Sequence, residues 1–248
     1  MSSIVAMSIL LGVVVVCAVG ASMFFDAAFR QARAEKTRRR IELPWMSGEA
    51  LRQWGTQQGR KLVAARLKEG SAAEVNARLI REGHRLIQNV LDEVQDPDAR
   101  GCAAMPVNCE HASPPQVTIS EALAIVEELQ ELSPNVLVDV ERHVGAIPGG
   151  TSRGNENPGC ALLSETGFCV CSYSQPLACA TRCRAGLDMT PEEREWSTTL
   201  QEGVQSGIER ELCAAGLDAR EHTLSEALRV VFLEKEAAAR WGRGERLL

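Results

Sequence analysis

The first apolar run in the chain, Ile4 to Phe25, holds 22 residues with no charge and no proline. At ~1.5 Å rise per residue a helix of that length reaches about 33 Å, against a bilayer core of ~30 Å. It lacks the polar stripe that a core helix of a soluble domain shows. The pattern predicts a single transmembrane anchor over 1–27. A cleaved signal peptide is the rival, because Val19-Gly20-Ala21 suits a small-residue cleavage site. No Lys or Arg precedes the run, however, and it exceeds the usual apolar length of ~7–15 residues, so retention is expected.

Past the anchor the apolar positions recur at helical spacing. Ser47 is placed to cap a helix from Gly48 to about Glu69, with Leu51, Trp54, Leu62, Val63 and Leu67 on its apolar side. Ser71 opens a second, to Val94, where Val75, Leu79, Ile80, Leu86, Ile87, Val90, Leu91 and Val94 share one face. A loop over 98–116 ends at Pro114-Pro115. Thr118-Ile119-Ser120-Glu121 has capping-box spacing and opens a helix expected to bury Leu123, Val126, Leu129 and Leu132. Ser133-Pro134-Asn135 is a turn into a short helix over Val136–Val144. A Gly, Pro and Asn stretch over 148–158 reads as a linker. Thr190-Pro191-Glu192-Glu193 starts another helix, to about Ala215, and Thr223-Leu224-Ser225-Glu226 starts the last, to about Trp241.

The predicted class is therefore all-α, an N-terminal transmembrane helix followed by a helical bundle with a cysteine-rich, loop-rich insert. Its parts are the anchor (1–27), a basic juxtamembrane segment (28–47), a helical domain (48–147), the insert (148–189) and a C-terminal helical segment (190–248). A faint repeat runs through it. Cys102-Ala103-Ala104, Glu110-His111 and Thr118 to Leu123 are echoed by Cys213-Ala214-Ala215, Glu221-His222 and Thr223 to Leu228. Duplication predicts two related helical units packed together. Ser-Glu-Ala-Leu is also a common helix opening, which leaves coincidence as the alternative.

Charge changes the picture in two ways. The net charge of −6 argues against nucleic acid as a partner, since phosphate binding needs a basic surface. Arg30, Arg33, Lys36, Arg38, Arg39 and Arg40 flank the anchor on its C-terminal side only. By the positive-inside rule they put the body on the cytoplasmic side, and they form a cluster suited to anionic membrane lipid.

Eight of the nine cysteines lie beyond the anchor: Cys102, Cys109, Cys160, Cys169, Cys171, Cys179, Cys183 and Cys213. An even number in loop-rich sequence makes all eight disulfide candidates, with connectivity left open. Free buried thiols are a second reading. A third is a metal, zinc or an iron–sulfur cluster, on Cys169, Cys171, Cys179 and Cys183, with Cys160 or His111 in reserve. The chain has no Cys-x-x-Cys, and Cys169-Val170-Cys171 is poor for a zinc knuckle. Without such a metal no cofactor is expected. Cysteine number points to an oxidising compartment and flanking charge to a reducing one. The charge rule bears on insertion directly and is followed.

No catalytic signature emerges. His84, His111, His143 and His222 form no His-Glu-x-x-His pattern, and no phosphate-binding or dinucleotide fingerprint is present. Glu127-Glu128 and Glu192-Glu193 are adjacent, so each pair diverges around its helix. A non-enzyme is expected.

The anchor followed by Phe25-Asp26 and an Arg-rich helix, with the close Leu129-Gln130-Glu131-Leu132-Ser133-Pro134-Asn135-Val136-Leu137, resembles the smaller presequence receptor of the mitochondrial outer-membrane import translocase. That resemblance implies an apolar groove between helices that takes amphipathic basic peptides. The residues themselves favour a membrane-anchored, non-catalytic accessory subunit with other protein subunits as partners. A cysteine-based redox or metal protein is the alternative from a different class.

Overall fold

A computed structural model describes residues 43, 46–94, 115–132, 134–146, 160–164, 169–171, 174–179 and 190–248. The predicted anchor and the six basic residues Arg30 to Arg40 lie outside the described residues, as do Cys102, Cys109, His111 and Cys183. Among the described residues no helix is long and apolar enough to cross a membrane. The chain divides into two compact units, Met1–Trp45 and Met46–Leu248. The second takes in the helical domain, the insert and the C-terminal segment.

That unit is mostly helical. Its elements are α1 (Gly48–Arg66), α2 (Ala72–Val94), β1 (Gln116–Thr118), α3 (Ile119–Glu131), α4 (Pro134–Ala146), α5 (Pro191–Ala214), β2 (Glu221–Thr223), α6 (Leu224–Leu233) and α7 (Ala237–Gly242). The helix starts follow the predicted caps. Ser47 Oγ accepts the Ala50 N–H at 3.3 Å, and full capping boxes stand at Thr118/Glu121, Thr190/Glu193 and Thr223/Glu226. The α5 end is closed by Gly216 at φ +80°, where Leu217 N–H reaches Leu212 O at 3.0 Å, the six-to-one bond of a Schellman turn.

The hub is an α1–α5 pair that packs backbone on backbone. In α1 the buried positions are Leu51, Gly55, Gly59 and Val63, four apart; in α5 they include Leu200, Gly203, Val204, Gly207 and Ile208. A Cβ on Gly55 would stand 3.0 Å from Leu200 O and from Val204 N. Trp54, Leu62 and Leu67, expected on the buried side of α1, are only half-buried. The glycine stripe takes the axis of contact, and the larger side chains flank it.

Around this pair α2 lays its apolar face on α3, where Ala77, Ile80 and Ala124 meet in the core. A buried polar pair pins the same contact: Asn76 Nδ2 donates to Ser120 O at 2.8 Å, and Ser120 Oγ donates to Asn76 Oδ1 at 2.6 Å.

The two copies of the faint repeat are neighbours. β1 and β2 pair antiparallel, Gln116 with Thr223, Val117 with His222 and Thr118 with Glu221. Thr118 and Thr223, which correspond in the repeat, stand at opposite ends of this ladder, paired with Glu221 and Gln116. Each strand then feeds directly into a capped helix, α3 or α6. The strands were absent from the predicted pattern because three residues ending at an N-cap carry too little alternation to register.

Two expectations need correction. Leu132 was assigned to the buried face of α3, but it is 39% exposed. It is the C-cap, its backbone is extended, and it turns off the helical face. The predicted helix 224–241 is two helices. The chain breaks at Glu234, which is extended, and α7 folds back so that fully buried Trp241 donates its indole N–H to Asp218 O at 2.8 Å.

Candidate thiol site

The cysteine-rich insert has no helix or sheet of its own among the described residues long enough to bury a core. What fixes it is α3. Glu121 and Glu128, seven residues apart and so two turns along one face, are 1% and 5% exposed. Both carboxylates accept backbone N–H groups from the insert. Glu121 Oε1 takes Leu177 N–H at 2.8 Å, and Glu128 Oε2 takes Ser174 N–H at 2.5 Å. The other oxygen of Glu121 closes the α3 capping box on Thr118 N–H at 2.8 Å. Burial pushes the Glu121 carboxyl above the ordinary range, and the N–H bonds from Thr118 and Leu177 oppose that rise. Irregular backbone sinks into the protein here because carboxylates supply the acceptors that a strand partner would otherwise supply.

Beside this clasp lies one isolated antiparallel bridge. Leu163 N–H reaches Cys160 O at 3.0 Å, which turns the chain. Leu163 then bridges Cys169 antiparallel, and Val170 N–H reaches Leu162 O at 2.8 Å. Cys171, one residue further, is fully buried. Past the clasp, Cys179 N–H bonds Pro176 O at 2.7 Å. Burial, foremost, drives the Cys171 thiol strongly upward, and the neighbouring charges of Cys169, Glu128, Cys160 and Cys179 act in the same direction. Cys160, Cys169 and Cys179 are thus near enough to Cys171 to bear on its proton. No disulfide joins the five described cysteines. Cys213 stands apart, exposed near the end of α5.

Of the four predicted metal candidates, the structure brings Cys169, Cys171 and Cys179 to this lobe, and Cys183 lies outside the described residues. Cys160, held in reserve, joins them. Sequence reasoning missed Glu121 and Glu128 as the support. Nothing in the sequence singles them out, because acids on a helix read as solvated until the N–H donors of the insert are in place.

Buried Cys171 is not a nucleophile in this state. Thiol chemistry needs thiolate, and a buried thiol beside a carboxylate keeps its proton. Binding a metal would reverse that, because the metal displaces the proton. Among the described residues no three His, Cys, Asp or Glu side chains are grouped so as to hold one metal ion. The helix–loop–strand–helix of α5 to α6 is not a calcium site either. A twelve-residue loop ending at Glu226 would put Ala215, Leu217 and Ala219 where oxygen ligands are needed and Arg220 where a glycine makes the turn.

A groove of about 300 Å³ separates the Leu163–Cys169 bridge from α4, with Val136, Val140 and His143 on one wall and Leu163 and Val170 on the other. No family model matches the chain, no curated protein matches it, and no solved structure matches it, so its residues and their geometry carry the functional argument.

Proposed function

We propose that the chain is a membrane-tethered, non-catalytic accessory subunit whose body, on the cytoplasmic side, binds other protein subunits. The observation that carries this reading is apolar side chain left in water on two helices that touch. Leu233 at the end of α6 is 75% exposed and Val138 of α4 is 49% exposed. The remaining apolar positions of α6 are buried or half-buried. Exposed large aliphatic groups on neighbouring helices are what a protein partner covers. The test is recovery of the full chain from detergent extract after mild cross-linking. A stable heteromeric complex, lost on Val138→Asp with Leu233→Asp, is the expected result. Recovery of the chain alone as a monomer would sink the reading.

A further inference from the structure

We infer that Glu209 of α5 carries the proton that keeps the insert docked: its ionisation puts a further negative charge beside Glu121 and loosens the hold of Glu121 on Leu177. Hydrogen bonds and strand pairing connect the two carboxyls. Gln205, one turn before Glu209 on α5, donates from Nε2 to Glu221 Oε1 at 2.8 Å. Glu221 pairs with Thr118 across the β1–β2 ladder. Thr118 gives its N–H, at 2.8 Å, and its hydroxyl, at 3.1 Å, to Glu121 Oε2. The other oxygen of Glu121 holds Leu177 N–H. A packing contact closes the circuit. A Cβ on Gly83 of α2 would stand 2.9 Å from Ile208 Cδ1 and 3.3 Å from Leu177 Cδ2. The residue before Glu209 and the clasped residue thus meet at one spot.

The two acids are unequally satisfied. Glu121 is met by three donors, and donors favour the ionised form. Glu209 has one oxygen buried with no hydrogen-bond partner, and Gln205 is the one side chain that bonds it. Burial raises both carboxyls, but only Glu121 has backbone N–H groups to oppose it. When the pair holds a single proton, that proton therefore sits on Glu209.

The groups around Glu209 give no cation to replace it. Glu221 of β2 and Glu121 of α3 repel its charge, and Arg210 of its own helix attracts it most weakly of the causes. From α1, Arg60 is taken by Glu211 at 2.9 Å. From α2, Gly83 meets Ile208, with buried His84 next to it in the chain. His222 alternates with Glu221 along β2, and its charge bears on Asp218 and Glu226 instead. As pH rises through about 7, Glu209 loses its proton and like charges repel in a site that water screens poorly. The irregular backbone at Leu177 has less holding it than the helices have, so it yields first.

The experiment is hydrogen exchange on the full chain in detergent, from about pH 6 to about pH 8, corrected for the intrinsic rise of exchange with pH. Protection over 174–179 should fall roughly five- to tenfold, the weight of about one pKa unit of charge coupling, while α1 and α5 keep theirs. Glu209→Gln should hold the low-pH protection throughout. Glu221→Gln, at an exposed position, removes a charge that raises the Glu209 carboxyl, so the fall should move to lower pH. His222→Gln should leave it in place. Protection that does not change with pH overturns the inference, since Glu209 would then shed its charge into water alone. A fall that persists in Glu209→Gln, that ignores Glu221→Gln, or that vanishes in His222→Gln overturns the assignment to Glu209.

Discussion

Gly203 of α5 lies directly on the carbonyl of Arg52 in α1. A Cβ added there would stand 2.5 Å from that oxygen and 3.1 Å from the Arg52 Cα. The relation is reciprocal along the crossing, because Gly55 and Gly59 of α1 face the backbone of Leu200 to Ile208. On the margins Arg52 pairs with Glu202, and Arg60 with Glu211, each at 2.9 Å. These pairs are largely exposed and add little to stability. The close approach itself is what holds the pair, through dispersion contacts between two backbones.

Gly203→Ala is therefore expected to destabilise the protein by about 2–3 kcal/mol or more, the range of overpacking where rigid backbone cannot yield. Gly59→Ala should behave alike. Gly48→Ala is the control, since nothing lies within 4 Å of a Cβ at that position. It should be neutral or slightly stabilising. Urea unfolding of the three variants checks this, and equal midpoints for Gly203→Ala and Gly48→Ala would show that the helices part freely.

The clasp makes a second prediction. Glu121→Ala strands the N–H groups of Thr118 and Leu177 in the interior, at about 1–3 kcal/mol each. Glu121→Gln keeps one acceptor oxygen and should cost less. Hydrogen exchange at Ser174 and Leu177 reports the lobe separately from the bundle. Faster exchange at Leu177 in Glu121→Ala, with α1 and α5 unchanged, is the expected outcome. Unchanged exchange would mean that something other than α3 holds the insert.

Most of the helical fold was legible from residue order because each start is announced by local chemistry. Ser47, Thr118, Thr190 and Thr223 cap as their spacing predicts. The capping box commits two backbone donors within four residues, so no tertiary context is needed to see it. Three things depended on tertiary context and were not legible. The glycines of α1 and α5 look like weak points in isolated helices and become the contact only when the two are set face to face. Glu121 and Glu128 read as solvated acids until the insert supplies donors. The break at Glu234 has no proline or glycine to announce it and follows from the burial of Trp241. At the thiol site the residue types were visible, and the Leu163–Cys169 bridge beside Cys160 was not, because a single isolated pair leaves no alternation in the sequence.

Stability should also depend on pH through Glu209 of α5. Its carboxyl is pushed up to about 7, by burial first and then by the charges of Glu221 and Glu121, against a hydrogen bond from Gln205. One of its oxygens is buried with no hydrogen-bond partner. The ordinary value is 4.5, so between that pH and about 7 the folded state binds more protons than the unfolded chain. The stability that the neutral form contributes is full at low pH and is lost as pH rises through 7. Glu209→Gln should remove this loss, gaining about 1 kcal/mol at pH 8 once the partial exposure of the group is allowed for. Urea midpoints from about pH 5 to 8 give the comparison. Parallel curves for the two proteins would place the titration elsewhere.

The paired repeats allow one chemical motif to be tested in two environments. Thr118 and Glu121 form a capping box that is buried, whereas Thr223 and Glu226 form the same box near the surface. In the exposed copy, hydrogen bonds from the Thr223 hydroxyl and N–H, in that order, hold the Glu226 carboxyl below its ordinary value. In the buried copy desolvation outweighs the equivalent bonds, and Glu121 moves the other way. Thr118→Ala should therefore cost about 2 kcal/mol, the top of the range for a cap, because water cannot replace the lost hydroxyl at the Glu121 N–H. Thr223→Ala should cost about 0.5–1 kcal/mol, since water can. The two also differ in acid. Glu226 gives stability that is present above its unfolded value and lost as pH falls, so the penalty of Thr223→Ala should shrink toward about pH 3. Thermal melts of both variants at neutral and acid pH test this. Equal penalties at every pH would show that local cap geometry, and not burial, sets the strength of both boxes.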